Sequence, residues 1–571
     1  MSLAARRALA AVLAGALYFC LLLGAGWDDS ATFDEPVHIM SGYLTNVWGD
    51  YQVNNFHPPL AKSVAALPLS FHPPSLVKSD VVHPGRSVEL AKAWFWHTDR
   101  DPQTMLRDCR TSLYLFQALL LSALLYLVAE RAGSTLAAAA LALLAFASPA
   151  VLGVSLYVTT DACLALFLLL GLAVYQRLER WGRKRDLVLL TLVMGGGLSS
   201  KHPFLLLPAV LVALLFFRTL HAARFSPQKV GHLKTLLGKV TLAAMGGLVL
   251  TLALYSFSMR GMSSGEVERS LQRMAGFGSP PFRATLAWTA EHEWLYPLGW
   301  YLSGLNRSQH YLGHGWGLST SVLGQVYQGG RWYYFPLIIA AKENVGVLLL
   351  LGWLWFAAVR NWPRNTAENV DLLPALTLAS TYFIIASASS LNIGFRHIAP
   401  SYLCLLYASA QILPRVIGGK AALLKALLVL ALLRIWSLST TFPHYLSYYN
   451  VLAGGVKGGY RVSVISDADW GQDLLRLGRY LQQHKATRTH LFYAATADPL
   501  YYAGPSLVDD GDFRPGDFVA VSTTFVEIPS YLDPKSRSRV ERALDWPPLA
   551  QIGGSFLVFQ VPLLSQDTHS P

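Results

Sequence analysis

The sequence predicts a polytopic α-helical membrane protein with a small soluble α/β domain at its C-terminal end. Of its 571 residues, 53% are hydrophobic and 14% charged, roughly half the charged share of a soluble chain of this length. Mean hydropathy is +0.36. Apolar runs recur near residues 8–26, 112–129, 135–153, 158–176, 187–200, 203–217, 236–257, 335–359, 372–390, 396–413 and 421–440. They give about eleven predicted spans, most near the roughly 20 residues that cross a bilayer. Beyond residue 440 the long runs stop, and short strand-like and helix-like patterns replace them.

The first run follows Arg6 and Arg7, which by the positive-inside rule put the N-terminus in the cytoplasm. It has the basic start and apolar body of a signal sequence. At about 19 residues, with no small-x-small site before Trp27, it reads as an uncleaved first helix. Alternation then places five further sets of loop cations inside: Arg131; Arg177, Arg180, Arg183, Lys184 and Arg185; Arg218, Arg224, Lys229 and Lys234; Arg360 and Arg364; Arg415 and Lys420. All agree with one orientation. Residues 1–440 thus form the predicted membrane domain, with exoplasmic loops at 27–111 and 258–333, and residues 441–571 an exoplasmic C-terminal domain.

These loops also account for the net charge of +12, which therefore indicates membrane topology and no nucleic-acid partner. Cys20, Cys109, Cys163 and Cys404 lie in or beside apolar runs at no metal-like spacing, so neither a disulfide framework nor a zinc site is expected.

Three stretches need separate reading. Runs 187–200 and 203–217 are short, and Gly195-Gly196-Gly197 is expected to break the first; the two form either spans or a re-entrant hairpin. In the first loop, HPPLAKSVAALPLSF places Leu60, Val64 and Leu67 at helical spacing between prolines, for a short helix lying in the interface plane or packing on protein. In the tail, GQDLLRLGRYLQQHK reads as an amphipathic helix, THLFYAA and DFVAVST as strands, PKSRSRVERALDW as a helix and FLVFQVP as a last strand.

With this orientation the polar residues inside or beside the apolar runs collect at one membrane face. Asp34, Glu35 and His57 lie in the first loop. Thr160 and Asp161 begin the fourth run, and Lys201 and His202 follow the fifth. Arg331, Lys342 and Glu343 flank the start of the eighth, while Asn392, Arg396 and His397 open the tenth. Singly, each reads as a solvated acid, a snorkelling lysine or a headgroup anchor. Together they point to a site at the exoplasmic interface, whereas transporters place such groups nearer the midplane.

Acids mixed with bases at a lipid interface suit transfer of a sugar from a polyprenyl phosphate. The departing phosphate needs fixed cations, for which Arg396, Lys201 and Lys342 are candidates. The incoming hydroxyl needs a carboxylate to take its proton, the role assigned to Asp34. Glu35 and Asp161 would orient sugar or acceptor hydroxyls, and His57 and His397 complete the expected binding set. A single displacement would invert the anomeric centre, while retention would need a second carboxylate as nucleophile. The acids of DADWGQD, Asp467, Asp469 and Asp473, lack the further ligands and glycine of a calcium loop. They read as a turn and helix N-cap around Trp470, with Asp469 a candidate lining for the acceptor path. No metal site, metal requirement or cofactor follows from the sequence.

Several motifs resemble the GT-C class of integral membrane glycosyltransferases, in the bacterial branch akin to dolichyl-phosphate-mannose protein mannosyltransferases and the lipid A aminoarabinose transferase. They are FDEPVHIMSGY with GDYQVNNFHPPLAK, TTDA at the fourth run, SKHP after the fifth, GGRWYYFPLIIAAKEN, NIGFRHIAPSY, FPHYLSYYNVLAGG and SDADWGQDLLRLGRYL. The resemblance implies a multi-pass protein of a bacterial inner membrane. It also implies catalysis from Asp34, with Glu35 beside it, and a lipid-phosphate sugar donor bound near Arg396 and Lys201. Lys342-Glu343 departs from relatives that continue apolar after the lysine. The acceptor, a protein, glycolipid or glycan, has no signature. A transporter or flippase of lipid-linked sugars is the rival reading, opposed by the absence of a visible repeat of spans and by large polar loops on one face only. A membrane scaffold presenting the tail is a third.

Overall fold

A computed structural model describes residues 1–75, 87–276, 279–315, 317, 319–361, 371–508 and 511–563. The chain is a polytopic helical bundle with a small C-terminal α/β sheet. Every predicted apolar run is helical. Six helices are long and apolar enough to cross a bilayer: Leu3–Gly26, Pro102–Ala132, Asp161–Trp181, His202–Phe225, Pro227–Ser258 and Lys420–Thr441. Two bent pairs, Thr135–Phe146 with Pro149–Ser155 and Tyr334–Lys342 with Val345–Arg360, raise the number to eight if each is one span. The remaining runs form the helices Lys184–Leu198, Leu373–Ser387 and Ala399–Ile417.

Two expectations about these runs are corrected. Gly195-Gly196-Gly197 does not break its helix, which continues to Leu198. The glycines serve packing: a Cβ on Gly197 would lie 2.2 Å from the Phe204 ring, and one on Gly196 2.5 Å from the Phe167 ring. The run 335–359 is not one straight helix but bends by 115° at Glu343–Asn344. Asn344 Oδ1 accepts the Gly346 amide at 2.8 Å and starts the second helix. Glu343 turns inward onto Arg434, both 1% exposed, and accepts from Tyr402 at 2.7 Å. A charge this deep is held only with its partners in place.

In the first loop, the expected short helix is two, Leu60–Ala65 and Leu67–Phe71, parted at Ala66 ahead of Pro68. They pack on the helices Glu35–Trp48 and Pro102–Ala132. Gly42 admits the Lys62 carbonyl to within 2.1 Å of where its Cβ would stand. The second loop contains three helices, Ser264–Ala275, Pro280–Ala290 and Tyr296–His314, and a hairpin of β1 (Ser319–Val322) and β2 (Gln325–Gln328).

The tail has the predicted helix at Leu474–Gln483 and a four-stranded sheet. Its strands are β3 (Thr489–Phe492), β4 (Phe518–Ser522), β5 (Ala550–Ile552) and β6 (Phe556–Gln560), ordered β3-β4-β6-β5. Strands β3 and β4 pair in parallel, the other neighbours antiparallel. The helix Pro534–Leu544, capped by Asp533, lays Val540 and Ala543 against Val519, Val521 and Phe559. Beyond its link to the last membrane helix, the tail is stitched to the first loop. Ser30 Oγ donates to Gly471 O at 2.8 Å and accepts from the Leu474 amide at 2.9 Å, and Phe33 N donates to Trp470 O at 3.1 Å.

Candidate active site

Asp34 is the N-cap residue of the helix Glu35–Trp48, with Pro36 in the first turn, yet its side chain caps no amide. It points instead to Arg396, whose Nη1 donates to Asp34 Oδ2 at 2.8 Å. The same Nη1 lies 3.9 Å from Asp161 Oδ2, and Lys201 Nζ donates to Asp161 Oδ1 at 2.5 Å. Four separated segments thus converge as acid, base, acid, base. The side chain of Asp34 is 29% exposed, that of Asp161 only 4%, so the chain opens at Asp34.

Local structure explains the convergence. Asp161 is the first residue of its membrane helix, and Lys201 stands just past the helix that ends at Leu198. Arg396 sits in the turn Phe395–His397, behind Gly394 at φ 99°. A side chain at Gly394 would be strained and would crowd Ser466 O and Ile465 O at 3.1–3.2 Å.

Two predicted site residues lie away from this open chain. Glu35 is 0% exposed and fully engaged. Its oxygens accept from Arg110 at 2.8 and 2.7 Å, from the Thr32 amide and hydroxyl at 2.8 and 3.0 Å, and from Val158 N at 3.0 Å. With its acceptor positions filled, it orders the loop and leaves nothing for a substrate hydroxyl. Lys342 is likewise turned inward: 2% exposed, it donates to Leu446 O and Asp467 O, each at 2.7 Å.

The predicted histidines are half-buried near the chain. His57 stacks on His38, one helical turn past Asp34, at 5.5 Å between ring centres. Burial pushes His38 down to about 4 and His57 well below the usual imidazole range, so both are neutral near pH 7. His38 Nδ1, His57 Nδ1 and His397 Nε2 are buried with no hydrogen-bond partner among the described residues.

Two residues beyond the predicted set also belong here. Lys62 is 1% exposed, donates to Asn54 O at 2.7 Å and lies 5.0 Å from the Tyr51 ring centre. It has no carboxylate partner among the described residues, and burial lowers its pKa well below the usual lysine value. Trp470 lies under the Arg396 guanidinium at 4.1 Å. Lys62 was visible in the HPPLAK motif; nothing in the pattern around Trp470 linked it to Arg396.

The acids of DADWGQD are occupied by the protein. Asp467 accepts from Phe395 N, Ser463 and Tyr334. Asp469 accepts from Ser522, Thr524 and Gly471 N, which uses both its oxygens and removes it as a lining group for an acceptor. Asp473 stands at the N-cap of Leu474–Gln483 but binds Arg476 and Ser555 in place of a helix amide. Among the described residues no group of three His, Cys, Asp or Glu is arranged to hold a metal ion.

Residues 106–245 match the family model described as dolichyl-phosphate-mannose-protein mannosyltransferase. No curated protein matches the chain. Among solved structures, ArnT from Cupriavidus metallidurans bound to undecaprenyl phosphate is similar at 14% identity and a TM-score of 0.43, over 96% of this chain and 97% of that one. Its apo form gives the same values. The S. cerevisiae protein O-mannosyltransferase Pmt1-Pmt2 complex bound to the sugar donor is similar at 16% identity and a TM-score of 0.34, over 49% of this chain and 36% of that one. Over residues 106–245 the chain carries the sequence pattern of the dolichyl-phosphate-mannose-protein mannosyltransferase family.

Proposed function

We propose that the protein transfers a hexose or pentose from a polyprenyl-phosphate-linked donor to an acceptor hydroxyl at the exoplasmic membrane face. The observation that carries this reading is the chain Asp34–Arg396–Asp161–Lys201, which sets a partly exposed carboxylate beside cations next to membrane-helix ends. In the reaction Asp34 takes the proton of the acceptor hydroxyl. The acceptor oxygen bonds to the anomeric carbon as the bond from that carbon to the phosphate oxygen breaks. The electron pair leaves with the phosphate, whose growing charge Arg396 and Lys201 stabilise.

Attack from the side opposite the phosphate inverts the anomeric centre. Asp161 is held between Lys201 and Arg396, so it fixes both cations rather than attacking. Glu35 and Arg110 anchor the loop that presents Asp34. Lys62 and the neutral His38 and His57 supply amine and ring nitrogens to the adjoining interior.

The test is release of polyprenyl phosphate from a polyprenyl-phosphate sugar by reconstituted protein supplied with membrane extract as acceptor. Asp34→Asn should abolish release while donor binding persists. Loss of donor binding with no release by the wild type would favour a carrier of lipid-linked sugars.

A further inference from the structure

We infer that Trp470, a residue of the C-terminal tail, is a positioning residue of the site around Asp34. It holds the Arg396 guanidinium in register between Asp34 and Asp161, so the tail forms part of the site. The inference rests on the donor reading proposed above and assigns the tail a role within it.

The geometry is specific. The guanidinium carbon lies 4.1 Å from the Trp470 ring centre, at contact distance for a cation on an aromatic face. Nη1 donates to Asp34 and lies 3.9 Å from Asp161, and Nε is buried with no partner among the described residues. One hydrogen bond and one longer ion contact therefore hold one corner of the fork, and the indole face sets the plane of the rest. Trp470 is itself fixed: it is 7% exposed, and Tyr157 meets it edge-on at 5.6 Å. Its carbonyl accepts from Phe33 N, next to Asp34, and its amide donates to Gln472 Oε1 at 2.9 Å.

The same tail segment also holds the backbone beside Arg396. Asp467 Oδ1 accepts the Phe395 amide at 2.8 Å, one residue before Arg396. One turn of the tail thus touches the backbone next to both Asp34 and Arg396. A tryptophan that only fills space would weaken binding equally with and without the Arg396 guanidinium, whereas a cation platform loses its effect once the guanidinium is gone.

The test uses the full chain in phosphatidylcholine nanodiscs with undecaprenyl phosphate as probe. Trp470→Phe should bind within about threefold of wild type and Trp470→Leu about tenfold more weakly. On an Arg396→Gln background the Leu change should add nothing. Melting curves accompany each variant, with Trp470→Met in place of Leu if the latter does not fold. Equal binding by the Phe and Leu variants overturns the inference, as does the same Leu loss on the Arg396→Gln background. Wild-type protein that fails to bind the probe overturns the donor reading and this inference together. Wild-type binding with no Leu effect overturns this inference alone.

Discussion

Replacing Arg110 by methionine is expected to unfold the site while leaving its chemical groups in the chain. Arg110 and Glu35 are 1% and 0% exposed and meet through two short hydrogen bonds of 2.8 and 2.7 Å. Arg110 also donates to the carbonyls of Gly26, Asp29 and Ser30 at 2.9–3.0 Å. Without it, Glu35 becomes a buried charge lacking its cation, a change that costs about 3–5 kcal/mol. The three carbonyls add to that without summing independently. The assay is equilibrium unfolding of the detergent-solubilised protein, followed by near-UV circular dichroism. Arg110→Met should lower the midpoint strongly, and Glu35→Gln on the same background should recover part of it by removing the uncompensated charge. Arg110→Met with the wild-type midpoint would refute the view that Glu35 is structural.

Further substitutions separate chemistry from packing. Asp34→Asn should change stability by less than about 1 kcal/mol, because the Asp34–Arg396 pair is partly solvated, while turnover falls by about 10²–10⁴; unfolding midpoints and initial rates of donor consumption give the two numbers. Gly197→Ala should destabilise by about 1–3 kcal/mol, since its methyl would lie 2.2 Å from Phe204, and thermal melting reads the loss. Acid should weaken the fold through His38. It is buried neutral with a pKa of about 4 against 6.5 for a free imidazole, so the unfolded chain binds the proton first. Stability contributed above pH 6.5 is lost as pH falls toward 4, by roughly 3 kcal/mol. His38→Gln should flatten that slope in a stability profile.

Much of this fold was legible because apolar length and loop cations are strong local signals. The eleven runs are helical, and the tail strands THLF, FVAVS and FLVFQ fall where their β-branched and aromatic residues indicated. The bend at Glu343–Asn344 was not legible, because it depends on Arg434, 91 residues away, to neutralise Glu343. The glycine run misled for a related reason: its meaning lies in Phe167 and Phe204, which only the folded bundle brings against it. Strand β5 spans three residues, too short to show a period.

At the site, residue type and position along the helices indicated Asp34, Asp161, Lys201 and Arg396, and the fold joins them. Sequence assigned Asp34 the base role and its neighbour Glu35 an orienting one, and did not show that the two side chains face apart. One extra residue turns the side chain from the open face toward Arg110, a direction set by tertiary contacts. Lys342 was singled out because a lysine at a run's edge suggests a ligand; the carbonyls of Leu446 and Asp467 that occupy it come from the tail, far off in sequence. Trp470 was read only as the centre of a turn, because a buried tryptophan carries no mark of the cation above it.

The central claim is that Asp34 acts as the base in sugar transfer from a lipid phosphate. The most direct measurement is polyprenyl phosphate released over time by wild type and Asp34→Asn in the same proteoliposomes, with donor binding measured in parallel. Release by the wild type alone, with both proteins binding donor, is the predicted result. Equal release by the two proteins would contradict it.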